Sequence, residues 1–121
     1  SSMSENINLD SMAIFANATV YFEFDKSSLT SKSIQTLKSA VDALNENTSI
    51  KVTLSGHADE RGTREYNLAL GQRRAESVSD YLVLNGINKS RITVKSFGEE
   101  KPLAYGQDES SYAKNRRVEI N

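Results

Sequence analysis

The chain has 121 residues, of which 37% are hydrophobic and 26% charged, and 15 Lys+Arg against 16 Asp+Glu leave a formal net charge of -1. That length fits one domain with one core, and the near-neutral balance argues against nucleic acid as a partner, which calls for a basic face. With no cysteine and one histidine, a disulfide scaffold, a thiolate zinc site, a cysteine nucleophile and a multi-histidine metal site are excluded.

The opening Ser1, Ser2 and Met3 read as a tag remnant, and residues 1–17 as a flexible or short helical lead-in. Within it, Met12, Ile14 and Phe15 form an apolar turn that docks on the body. No secretory leader is visible, and no apolar run approaches the roughly 20 residues that span a bilayer. Residues 18–121 form the domain. Thr19 to Phe24 alternates as a strand with Val20, Phe22 and Phe24 on one face. Asp25 to Ser28 breaks the pattern. Thr30 or Ser31 then caps a helix whose core stripe is Ile34, Leu37, Val41 and Leu44.

Ile50 to Ser55 is a second half-buried strand, followed by the polar loop G-H-A-D-E-R-G-T-R at 56–64. A helix runs from Glu65 to Asn85 on the stripe Leu68, Ala75, Val78 and Leu82, closed by Gly86 and Ile87. Arg91 to Phe97 is a third strand with Ile92 and Val94 inward. A loop carrying Pro102 leads to a helical turn at 109–114 and a last strand, Arg116 to Ile120. This order predicts an α/β (α+β) two-layer sandwich, βαβαβ-β, with a mixed four-stranded sheet and helices on one face.

Chemistry concentrates between residues 57 and 76, where Asp59, Glu60, Glu65 and Glu76 face Arg61, Arg64, Arg73 and Arg74. A balanced constellation suits a zwitterion: a carboxylate receives an ammonium and a guanidinium fork receives a carboxylate. Asn67, Leu70 and Arg74 share one helix face by their spacing of three and four. Asp59, in the loop feeding that helix, faces the same surface. The plain alternative pairs Arg74 with a structural carboxylate and makes Asp59 a helix cap. If the first two strands are parallel neighbours, Phe24 and Asp25 emerge at the same edge, where ligands favour strand ends.

His57, Asp59 and Glu60 lack a nucleophile or a metal-binding pattern, so binding without catalysis is expected. His57 itself reads as a hydrogen-bonded residue at a strand end. Lys114, Arg116 and Arg117 read as a basic cluster that protects an edge strand. No cofactor is expected.

Four blocks in order, Y-F-E-F-D at 21–25, G-H-A-D-E-R-G-T at 56–63, Y-N-L-A-L-G-Q-R-R-A at 66–75 and N-R-R-V-E at 115–119, resemble the OmpA-like C-terminal domain family over about residues 18–121. The wording looks most like the family's lipid-anchored members. The resemblance implies non-covalent, non-catalytic binding of peptidoglycan through the meso-diaminopimelate of its stem peptide. It implies that Asp59 receives the diaminopimelate ammonium and Arg74 grips its carboxylate. It also implies that Phe24, Asp25, His57, Asn67, Leu70 and Arg117 line the same cleft. It further implies a TolB-like β-propeller partner, a role in envelope integrity and cell division, and a place on the periplasmic side of the outer membrane. The lipid anchor that would hold it there is absent from this sequence. The same motifs also fit the wall-anchoring domain of a larger porin or stator protein. On this reading, truncating Asp59 or Arg74 to alanine weakens binding with folding intact.

Overall fold

The first strand is half as long as its alternation suggests. The computed structural model describes Phe15 and residues 18–121. Met12, Ile14 and the rest of the lead-in lie outside the described residues, whereas Phe15 is buried in the core. Strand β1 is Thr19–Tyr21. The Phe22 N–H still donates to the Arg116 carbonyl at 2.9 Å, but the Lys26 N–H then closes a turn on Glu23 O. Asp25 takes the left-handed conformation at φ 58°. Phe24 therefore leaves the core face and is 54% exposed. A non-glycine residue pays about 1–2 kcal/mol for that conformation, so surrounding contacts must hold it.

Helix α1, Ser31–Glu46, starts at Thr30, whose hydroxyl accepts from the Ser33 N–H. It buries Leu37, Ala40, Val41, Ala43 and Leu44. Strand β2 is Val52–His57, shifted two residues from the alternating run. Ile50 belongs to a turn, with its N–H on Asn47 O and its carbonyl held by Arg91 Nε at 2.9 Å. Helix α2, Arg64–Leu84, is capped by Thr63. At its far end Gly86 adopts φ 93° and the Ile87 N–H returns to Leu82 O at 3.0 Å. That is the geometry only glycine enters without strain.

A short 3-10 turn, Lys89–Arg91, leads into β3, Ile92–Gly98. Helix α3, Glu109–Asn115, is capped by Asp108 and precedes β4, Arg117–Ile120.

The four strands form one mixed sheet in the order β1-β4-β2-β3. β4 is antiparallel to both neighbours, and β2 is parallel to β3. β1 and β2 therefore run the same way but are not neighbours, because β4 lies between them. Their ends still emerge at one edge. β4 is interior, so Arg116 and Arg117 do not shield an edge; both are buried.

The core lies between one sheet face and the helices. It joins Val20, Phe22, Val52, Leu54, Val118 and Ile120 of the sheet layer to Leu37 and Leu44 of α1 and to Ala75, Val78 and Leu82 of α2. Leu68 lies off this stripe and is 37% exposed; Leu70 is buried in its place. The α2–β2 contact is unusually close. A Cβ on Gly56 would strike the Gly71 carbonyl, and one on Gly71 would strike Ser96. Two glycines thus let helix backbone rest on strand backbone, which sets where the next turn of α2, with Arg74, meets the end of β2.

Candidate functional site

A cleft of about 210 Å³ opens at that edge, lined by Phe24, Asp25, Asp59, Asn67, Leu70 and Arg74, together with Ala58, Arg61, Gly62 and Tyr66. Three segments build it: the turn after β1, the loop after β2 and the first half of α2. Six of the eight residues expected at the site come together here. His57 and Arg117 do not line it.

Arg74 forms the back of the cleft. It is wholly buried. Its Nε donates to Lys26 O at 2.8 Å, its Nη1 to His57 O at 2.9 Å and its Nη2 to Glu23 O at 3.1 Å. Both acceptors on the first segment belong to the turn that carries Phe24 and Asp25. The guanidinium has five N–H groups, so one remains on each Nη. Burial, and then the charge of Arg116, lower its pKa to about 10, so it stays a cation at neutral pH. It does not pair directly with a structural carboxylate, and removing it would strand three carbonyls. Folding is therefore not expected to survive Arg74→Ala unharmed.

Asp59 stands opposite, also buried. It is not a helix cap; Thr63 has that role. Its Oδ1 accepts from the Arg61 N–H at 3.0 Å and from Arg61 Nε at 3.1 Å, and its Oδ2 from Arg61 Nη2 at 2.9 Å. Arg116 Nη1 lies 3.7 Å from Oδ2. Burial alone would raise the carboxyl pKa, but the Arg61 hydrogen bonds and the Arg61 and Arg116 charges hold it below the usual value. Asp59 is ionised.

Arg61 is the site residue that sequence spacing does not single out. Its guanidinium lies 4.0 Å from the centroid of the Phe24 ring and 4.3 Å from that of Tyr112. Such stacking suits a flat, weakly hydrated cation. Tyr66 is the second addition. Its hydroxyl donates to Asp25 Oδ1 across the cleft mouth, which helps to hold Asp25 in its left-handed conformation. Asn67 is buried, and its Nδ2 donates to Arg61 O at 3.1 Å and Glu99 Oε1 at 3.0 Å. It braces the loop. Leu70 supplies the apolar floor.

His57 and Arg117 sit behind the cleft. The His57 carbonyl serves Arg74, but its ring stacks on Phe97 with centroids 5.4 Å apart. Both ring nitrogens are buried without a hydrogen bond, so the strand-end hydrogen bond expected of this side chain is not made. Burial, then the Arg117 charge, lower its pKa to about 4. Arg117 donates to Glu119 Oε2 at 2.6 Å and Lys101 O at 3.0 Å. It ties the loop before α3 to the sheet.

The OmpA family model matches residues 21–116. The peptidoglycan-associated lipoprotein of Pseudomonas aeruginosa is 47% identical over 111 residues, 92% of this chain and 66% of its own length. That of Haemophilus influenzae is 48% identical over 100 residues, 83% of this chain and 65% of its own. The chain thus spans just under two thirds of these relatives. Among solved structures, the peptidoglycan-associated lipoprotein of Burkholderia pseudomallei matches with a TM-score of 0.82 and 42% identity, covering 84% of this chain and 86% of that one.

Proposed function

The chain belongs to the OmpA family, and from that premise we propose that its cleft binds the peptidoglycan stem peptide without cleaving it. One observation carries this reading. An ionised carboxylate, Asp59, and a buried guanidinium, Arg74, line the same cleft over an apolar floor, Leu70. That is a receptor for a zwitterionic side-chain end such as that of meso-diaminopimelate. The ammonium goes to Asp59 Oδ2, which Arg61 Nη2 occupies in part and Arg116 Nη1 approaches only to 3.7 Å, and the carboxylate to the two remaining Arg74 N–H groups. Relatives named for peptidoglycan association support the ligand class.

The cleft lining holds no serine, threonine, cysteine or histidine. Asp59 is held by Arg61 as an anion, a poor general acid. Both features favour binding over hydrolysis. The domain then tethers the outer membrane to the wall from the periplasmic side, as a lipid-anchored component of a Tol–Pal system that engages a TolB-like β-propeller and supports division. A stator origin is less well supported, because the MotB domain of Helicobacter pylori is 20% identical.

Isothermal titration with a soluble diaminopimelate muropeptide tests the reading. Asp59→Asn removes one charge-assisted contact to the ligand, worth about 1.5–3 kcal/mol, so affinity falls about tenfold or more. It also unpairs Arg61 and Arg116, so Tm falls as well and affinity is measured well below the variant's melting range. Unchanged affinity in a folded variant overturns the assignment.

A further inference from the structure

We propose that Arg61 decides which cation the cleft accepts: by balancing the charge of Asp59, it makes the cleft select a zwitterion over a bare ammonium. The inference rests on the peptidoglycan reading above and names a specificity residue within it.

The geometry of Asp59 comes first. A carboxylate offers about four acceptor directions. Arg61 fills two on Oδ1 and one on Oδ2. An incoming ammonium can share Oδ2, but Arg61 is not easily displaced. It is fixed by three hydrogen bonds to one carboxylate and by aromatic rings at 4.0 Å and 4.3 Å. The newcomer therefore meets a carboxylate already paired with a cation.

Charge around the seat completes the case. In the ion-pair network that holds Asp59, two carboxylates, Asp59 and Glu109, stand against two guanidiniums, Arg61 and Arg116. Glu109 Oε1 receives Arg116 Nη2 at 2.7 Å, and Glu109 Oε2 lies 3.9 Å from Arg61 Nη2. The nearby Lys26 and Glu23 cancel each other as a pair at 3.3 Å. A lone ammonium enters a balanced cluster and is repelled by Arg61 as much as it is drawn by Asp59. A ligand with an ammonium and a carboxylate on one carbon answers both signs. Arg61 Nη1 has no hydrogen-bond partner among the described residues and is not among the buried unpaired atoms; the side chain is 36% exposed. Arg61 lines the same cleft as Arg74 and so offers a second donor for the ligand carboxylate.

Neutralising Arg61 leaves the cluster with one uncompensated negative charge. The test compares wild type, Arg61→Gln and Arg61→Lys in the 121-residue chain. Each is titrated with a muramyl tripeptide ending in meso-diaminopimelate and with its L-lysine counterpart. Wild type is expected to prefer diaminopimelate by about tenfold or more, a difference of one charge-assisted contact. In Arg61→Gln the lysine peptide gains affinity while Arg74 still receives the diaminopimelate carboxylate, so the preference shrinks by about threefold or more without vanishing. Arg61→Lys, which keeps the charge, restores it. An equal loss for both peptides in Arg61→Gln makes Arg61 only a support for Asp59 and overturns the inference, as does no change in either. Wild type binding neither peptide overturns the peptidoglycan reading itself, and this inference with it.

Discussion

The back of the cleft and its lip hold their cations in opposite ways. At the back, Arg74 is out of water and bound to three main-chain carbonyls from two segments. At the lip, Arg61 is partly open, paired with a carboxylate and stacked on two rings. Carbonyl dipoles are fixed by the fold, so the back is architecture that also presents a charge. A half-open ion pair is screened by salt and adaptable, so the lip is where selectivity can be set without rebuilding the domain.

Cutting Arg74 to Met breaks this comparison most severely. Three carbonyls, that of His57 buried and those of Glu23 and Lys26 partly so, lose a charged donor, and the variant should lose at least about 3 kcal/mol in chemical denaturation. The loss should be nearly the same at low and high salt. A loss under about 1 kcal/mol would mean that water replaces the guanidinium and the back is not architectural.

Acid probes the same region next. The folded pKa of His57, about 4, lies below its ordinary 6.5. Between those values the unfolded chain binds a proton that the folded chain refuses. Stability from this group is therefore complete above about pH 6.5 and falls toward pH 4, by on the order of 3 kcal/mol. Denaturation across that range should show the slope, and His57→Gln should flatten it. A wild-type curve as flat as the variant's would mean that His57 titrates normally.

The smallest effect belongs to the lip. Arg61→Gln should cost less stability than Arg74→Met, with the deficit shrinking as salt rises. A salt-independent deficit as large as that of Arg74 would erase the distinction between the two.

Much of the frame is legible before any coordinates. Thr30, Gly86 and the stripe Ala75, Val78, Leu82 follow from caps and periodicity, which are local. Asn67, Leu70 and Arg74 share a face because helix spacing requires it. What escapes is set by distant partners. β4 inserts between β1 and β2, and so buries Arg116 and Arg117, for reasons of long-range pairing that no short pattern encodes. Phe24 alternates like a core residue, but the left-handed turn at Asp25 releases it to the lip, and an aspartate there carries none of glycine's signal. Arg61 reads as one charge among eight. Its importance lies in Phe24 and Tyr112, far away in the chain, and in Asp59 two residues before it.

The most direct test of the central claim is an NMR titration of isotope-labelled protein with the diaminopimelate muropeptide, beside the lysine form. The cleft account expects shifts at residues 24–25, 58–62 and 66–74, with diaminopimelate preferred. Silence in those segments with both ligands, or shifts confined to the opposite sheet face around Thr53, Ser55 and Lys95, would contradict it.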